Sequence, residues 1–176
     1  MRMVRSGRHV MTSEPFREDQ VAAEIERKFR VTDDTWRDQA HASRFMRQGY
    51  LAGNERASMR VRTADGQAWL NIKSATLGIS RQEYEYAIPL DEADEMLNTL
   101  CEGPLIEKTR YFVRHGGHLW EIDEFFGDNA GLIVAELELG SVNESYERPD
   151  WLGEEVSDDP RYYNVSLVKH PFREWT

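Results

Sequence analysis

The sequence predicts an α+β domain of about eight short strands interrupted by short helices. Charged or amide residues alternate with period two along Glu24-Ile25-Glu26-Arg27-Lys28, Arg60-Val61-Arg62, Asn71-Ile72-Lys73, Arg81-Gln82-Glu83-Tyr84-Glu85, Lys108-Thr109-Arg110, Glu121-Ile122-Asp123 and Glu136-Leu137-Glu138. Hairpin signals, Asp65-Gly66 and Gly116-Gly117, separate such runs. Apolar residues at helical spacing follow Asp91, at Ala93, Met96, Leu97 and Leu100.

Taken in order, Ala23 to Val31 reads as a strand. Thr32 or Asp33 then caps a helix that ends near Ala42, its acids favoured at the positive N-terminus. Phe45 to Ala52 and Ala57 to Thr63 are strands about a turn at Gly53-Asn54-Glu55, and Ala64-Asp65-Gly66-Gln67 turns the chain into Ala68 to Ser74. Passage through Gly78 leads to Ser80 to Ile88, which Pro89 stops. The helix opened by Asp91 runs until Gly103-Pro104 ends it. Strands follow at Ile106 to His115, His118 to Phe126 and Leu132 to Leu139. From Gly140 the chain is acidic and irregular, apart from a helix near Arg161 to Lys169. The first 20 residues read as a flexible extension, and 21–176 as a single domain.

A chain of 176 residues can bury a real core without disulfide or structural zinc. Charged residues make up 31%, above the usual quarter or so of a globular chain, so charge is placed beyond what solubility asks. A net charge of -10 disfavours a general nucleic-acid or anionic-membrane surface, while leaving room for a locally basic pocket. The lone Cys101 rules out an intramolecular disulfide and a Cys-rich metal site, reads as a core or rim thiol, and suits a cytoplasmic setting. No apolar run approaches the roughly eighteen residues that span a bilayer. Monomer and homodimer are both compatible with the chain.

Each charged face taken alone would look at water. Together they point elsewhere: if the sheet closes into a barrel, the charged faces converge on a lumen while apolar faces pack outward against helices. The inward acids are then Glu24, Glu26, Glu83, Glu85, Asp123, Glu136 and Glu138, against the bases Lys28, Arg60, Arg62, Lys73, Arg81, Lys108 and Arg110. Burying such charges is tolerable only if they are wet, paired, or filled by a highly charged ligand. A metal-bound polyphosphate satisfies both signs, since carboxylates hold hard cations such as Mg²⁺ and guanidinium or ammonium groups hold phosphate. No Gly-Lys-Ser/Thr loop is present, so the strands themselves must supply the cradle.

The Glu24-x-Glu26-x-Lys28 strand, followed in order by Arg60-x-Arg62, Lys73, Glu83-x-Glu85, Lys108-x-Arg110, Asp123 and Glu136-x-Glu138, resembles the motif series of the CYTH superfamily, the triphosphate tunnel metalloenzymes. The likeness runs from about Ala23 to Leu167. Gln48-Gly49-Tyr50-Leu51, Trp120 to Phe125 and Arg161-Tyr162-Tyr163-Asn164 are similar to its short, single-domain bacterial branch. The resemblance implies an eight-stranded antiparallel barrel forming a tunnel, and Mg²⁺- or Mn²⁺-dependent action on a small-molecule triphosphate. It further implies that Glu24, Glu26, Glu136 and Glu138, with Asp123 close by, bind metal. Lys28, Arg60, Arg62, Lys73, Lys108 and Arg110 would bind triphosphate, and Glu83 and Glu85 would hold a second metal or position the attacking water. Lys73 would also take part in catalysis, whereas Arg81 either joins the phosphate set or pairs with an acid at the mouth.

Tryptophans and tyrosines, including Trp36, Trp69, Tyr50, Tyr84 and Tyr86, read as packing residues, and none of the five histidines is assigned a role. With no feature that reads a base or an organic leaving group, inorganic triphosphate is the expected substrate. The resemblance leaves adenylate cyclase and thiamine or nucleoside triphosphatase as alternatives. A non-catalytic polyphosphate or nucleotide binder is disfavoured because the full acid set is present.

Overall fold

Period-two alternation resolves into strands that close on themselves. A computed structural model describes residues 23–75 and 79–175, with the side chains of Ala23 and Glu24 outside that description. The expected N-terminal extension and the turn at Gly78 also lie outside the described residues.

The strands are β1 (Ala23–Val31), β2 (Ala40–Gly53), β3 (Ala57–Ala64), β4 (Gln67–Ser74), β5 (Ser80–Ile88), β6 (Glu102–His115), β7 (His118–Phe125), β8 (Ile133–Glu138) and β9 (Leu152–Glu155). Helix α1 (Leu90–Thr99) separates β5 from β6, and α2 (Asn164–Lys169) lies near the C-terminus. The order β5-β4-β3-β2-β6-β7-β8-β1 is antiparallel throughout and closes through β1 and β5, where Ala23 faces Gln82 and Ile25 faces Ser80. Closure removes the exposed edges an open sheet would present. Beyond Ile25, β1 leaves β5 and pairs with β9, Phe29 opposite Glu155 and Val31 opposite Leu152.

Four elements differ from expectation. The helix predicted after Thr32 is a single 3-10 turn at Arg37–Gln39, and β2 begins at once. Asp33 spends its carboxylate on the Thr35 N–H (2.8 Å) and hydroxyl, forming a tight local turn. Trp36 is buried edge-on to Tyr111, and Ala40 pairs with Val113, so tertiary pairing overrides helix propensity. Strand β6 starts at Glu102 and runs through Gly103-Pro104, which were expected to lie before it. Gly103 takes φ 72°, and the β2–β6 register shifts between Gln48 and Tyr50, so these residues sit in an irregularity that tolerates a proline. The acidic segment after Gly140 contains β9, and the C-terminal helix is split by the extended backbone of Tyr163, whose hydroxyl donates to the Ser157 carbonyl (2.7 Å).

The outward faces form two cores. Phe29, Trp120, Ile122, Ala135, Leu137 and Trp151 pack outside β1, β7 and β8, while α1 lays Ala93 and Leu97 on Val61 and Ala68 of β3 and β4. Cys101 joins the second core, close to Gly49, where a Cβ would come within 2.5 Å of its sulfur. A third cluster floors the lumen. Ile106, Phe125 and Val134 continue the inward faces beyond Lys108, Asp123 and Glu136, and Leu167 of α2 and Tyr162 seal them. Among the described residues no helix is long and apolar enough to cross a membrane.

Candidate active site

The inward faces enclose a cavity of about 610 Å³ lined by side chains from β1 to β6, β7, β8 and α2. The wall built from β1, β6, β7 and β8 is tightly paired. Lys28 lies opposite Glu136 in register and donates to it, and also to Glu26 Oε1 at 2.5 Å. Arg110 forks onto Asp123, Nε to Oδ1 and Nη2 to Oδ2 each at 2.7 Å, and its Nη2 also reaches Glu136 Oε2 at 2.5 Å. Its Nη1 donates to Glu121, and Lys108 donates to Asp123. Asp123 is fully buried and Lys108 is 2% exposed.

Burial works against every charge in this wall, and pairing decides the outcome. Burial alone would discharge Lys28, but the carboxylates of Glu136 and Glu26 outweigh it and lift the ammonium above the ordinary lysine range. Burial would likewise protonate Glu136, yet Lys28, Arg110 and Lys108 hold it well below the usual carboxylate range. Lys108 goes the other way. Burial pushes it down to about 8, with Asp123 pulling against that and Arg110 adding to it.

The opposite wall, from β3, β4 and β5, is looser. Arg60, Asn71 and Glu85 lie in one row across the three strands, and Lys73 lies opposite Glu83. Lys73 Nζ meets Glu83 Oε2 at 2.8 Å, Arg62 Nη2 meets Glu85 Oε2 at 2.6 Å, and Arg60 reaches Glu83 only at 3.7 Å. Burial and the neighbouring Arg60 charge lower the Arg62 pKa. Arg81 donates to Glu26 Oε1 at 3.2 Å and lies over the Tyr163 ring, its carbon 5.1 Å from the centroid.

The structure therefore brings together on one cavity Glu26, Lys28, Arg60, Arg62, Lys73, Arg81, Glu83, Glu85, Lys108, Arg110, Glu136 and Glu138. Asp123 stands behind this lining, both oxygens engaged by Lys108 and Arg110. Glu24 lies on β1 opposite Arg81, its side chain outside the description. Charge pattern alone missed other lining residues. Glu121 shares the face of Asp123 by simple alternation, whereas Gln48, Tyr50 and Tyr163 carry no charge to mark them, and Tyr50, expected only to pack, also lines the cavity. The Nε2 of Gln48 and the Oδ1 of Asn71 are buried without a hydrogen-bond partner among the described residues.

The acids fit a hard divalent cation by chemistry. All are oxygen donors, and Glu26 stands directly opposite Glu138 across β1 and β8, a like-charged pair that a cation would relieve. As folded, Glu26 and Glu136 turn to Lys28, Arg81 and Arg110, and among the described residues no three acids, histidines or cysteines are grouped closely enough to hold a metal.

The model of the CYTH domain matches residues 22–168. This chain belongs to the CYTH domain family. It is similar to the inorganic triphosphatase of Acetivibrio thermocellus, 47% identical over 150 residues that cover 85% of this chain and 96% of that one. It is also similar to the inorganic triphosphatase of Nitrosomonas europaea, 38% identical over 149 residues that cover 82% and 96%. Among solved structures, the crystal structure of the inorganic triphosphatase NE1496 matches with a TM-score of 0.62 at 35% identity, over 82% of this chain and 93% of that one. The paired acids and bases described above thus line the interior of a CYTH barrel.

Proposed function

We propose that this CYTH protein hydrolyses inorganic triphosphate to pyrophosphate and phosphate, with Mg²⁺ or Mn²⁺. The observation that carries this reading is the convergence of Lys28, Arg60, Arg62, Lys73, Lys108 and Arg110 from four strands on one cavity that the carboxylates of Glu26, Glu83, Glu85, Glu136 and Glu138 also line. Chain-like polyanions match such a lining because cations on both walls can engage successive phosphates. The relatives named inorganic triphosphatase support the choice of substrate.

In this reading the guanidinium and ammonium groups bind and align the chain, and they gain most as charge develops on the departing pyrophosphate. Glu83 and Glu85 orient the attacking water and accept its proton as its oxygen bonds to the terminal phosphorus and the bridging P–O bond breaks. Glu24, Glu26, Glu136 and Glu138 would hold the divalent ion, with Asp123 joined to them through Arg110; when bound, the ion would neutralise phosphate charge and polarise the phosphoryl oxygens. Lys73, held by Glu83, stands where it can follow the transferring phosphoryl group.

Phosphate release is measured with triphosphate, ATP, thiamine triphosphate and pyrophosphate in parallel, each with Mg²⁺, Mn²⁺ or EDTA. Metal-dependent release favouring triphosphate is the expected result. Release confined to an organic triphosphate, or cyclic AMP formed from ATP faster than phosphate from triphosphate, overturns it.

A further inference from the structure

Asn71 is the neutral centre of the looser wall. It sits mid-strand on β4 with Arg60 and Glu85 paired to either side of its backbone, and it is fully buried. Its Nδ2 donates to Glu83 Oε1 at 2.9 Å and to Glu85 Oε2 at 2.6 Å. One amide nitrogen therefore spends both its protons on two carboxylates that lie two residues apart on β5, on the same face and about 7 Å apart along the strand. This choice also fixes the amide orientation, since Oδ1 turned toward the same pair would meet two anions.

We propose that Asn71 is a positioning residue for turnover: its amide holds Glu83 and Glu85 side by side, facing the cavity. Two like charges so placed repel, and a bridging donor offsets that repulsion. A lysine or arginine at this position would also bridge them, but would add a charge that lowers their basicity and competes with substrate phosphate for the cavity. An amide bridges the two without adding a charge, and Glu83 still meets Lys73 and Glu85 still meets Arg62. The inference rests on the triphosphatase reading of this cavity. It differs from that reading in assigning no contact between Asn71 and substrate.

The test is a double-mutant cycle. Asn71→Ala and the isosteric Asn71→Asp are each made alone and with Glu85→Gln, and kcat, KM, metal-free triphosphate affinity in EDTA and urea unfolding midpoints are measured. Displacing reacting groups by about 1 Å costs up to about 100-fold, so each single variant should lower kcat by at least about tenfold. For Asn71→Ala, which leaves the charge of the cavity unchanged, KM and metal-free affinity should stay within about threefold, because the phosphate-binding cations are untouched. In the Glu85→Gln background the same changes should cost clearly less than in the wild type, since the half of the bridge made to Glu85 is already altered while the bond to Glu83 remains. Losses in kcat that multiply fully across the cycle, or that track the unfolding midpoints with KM and affinity worsening together, would leave Asn71 a packing residue and overturn the proposal. If the wild type releases no phosphate from triphosphate, the functional reading fails first; the unfolding cycle then decides the bridge alone, with additive midpoints overturning it and non-additive ones supporting it.

Discussion

Two walls of one lumen use the same side chains differently. Along β1, β6, β7 and β8 the charges close on each other: Lys28, Glu136, Arg110, Asp123 and Lys108 form one continuous buried network. Along β3, β4 and β5 the contacts are sparser and wetter, with the Glu85 side chain 39% exposed and Arg60 standing 3.7 Å from Glu83. The cause lies on the outside of the barrel. Trp120, Trp151 and Phe29 cover the first wall, whereas α1 covers only part of the second and leaves Met59, Tyr84 and Tyr86 exposed. A wall dry on both sides must neutralise its own charges, and a half-wet wall can keep them for a ligand. Charge inside one cavity therefore divides into a wall whose groups close on each other and a wall whose groups are less completely paired.

The largest effect should come from breaking the dry wall. Asp123→Ala strands Lys108 and Arg110 without their shared carboxylate, and removing one partner of a buried pair costs about 3–5 kcal/mol. Urea unfolding should show that loss, with activity falling only as far as the folded fraction falls at moderate temperature plus any misalignment of Arg110. Arg62→Ala, in the half-wet wall, should invert the pattern. Melting should change little, while triphosphate affinity measured by calorimetry weakens about 10- to 100-fold, the worth of one charged hydrogen bond at about 1.5–3 kcal/mol. Equal stability losses in the two variants would erase the distinction between the walls.

Ligand-linked stability sharpens the same contrast. Triphosphate with Mg²⁺ at about one hundred times Kd should stabilise the wild type by about 2.7 kcal/mol, seen as a higher melting temperature. Lys73→Ala should shrink that shift at equal ligand concentration without lowering the ligand-free melt.

How much of this was legible in the sequence follows the same division. Period two marks β1 to β8 because charge on one face and bulk on the other survive in any register, and the inward parity of Glu26, Lys28, Arg60, Arg62, Glu83 and Glu85 comes with it. Which charges pair is not local information: Lys28 and Glu136 are 108 residues apart and meet only because β1 and β8 are neighbours. Strand β9 has four residues and one buried apolar side chain, too little pattern to distinguish it from the acidic coil around it. The short turn at Arg37–Gln39 looked helical because its capping signals are real, but the burial of Trp36 and pairing of Ala40 belong to tertiary structure. Asn71 and Gln48 were read only as parts of a strand pattern and a family-like segment, and neither was given a role at the site, because a neutral amide gives no charge signal.

The smallest effect lies outside the lumen. Arg37 grips Glu124 through both Nη atoms, at 3.0 and 2.8 Å, and holds its pKa below the ordinary glutamate range. Because the folded value is depressed, the stabilisation is present above the unfolded pKa and is lost as pH falls through the folded one. Between about pH 5 and pH 3 the wild type should lose slightly more stability than Glu124→Gln, by less than about 1 kcal/mol for so exposed a pair. Parallel urea titrations across that range measure it, and identical pH slopes would remove the clamp from the list of stabilising contacts.

The most direct measurement is phosphate release from inorganic triphosphate with Mg²⁺ by the wild type and by Glu26→Gln, with melting curves recorded on the same samples. Glu26 bridges the two walls, through Lys28 on one side and Arg81 on the other, and stands opposite Glu138. The expected result is metal-dependent release by the wild type and a loss of about 100-fold or more in the variant at a similar melting temperature. Wild-type rates in a folded Glu26→Gln protein would contradict a lumen that hydrolyses triphosphate.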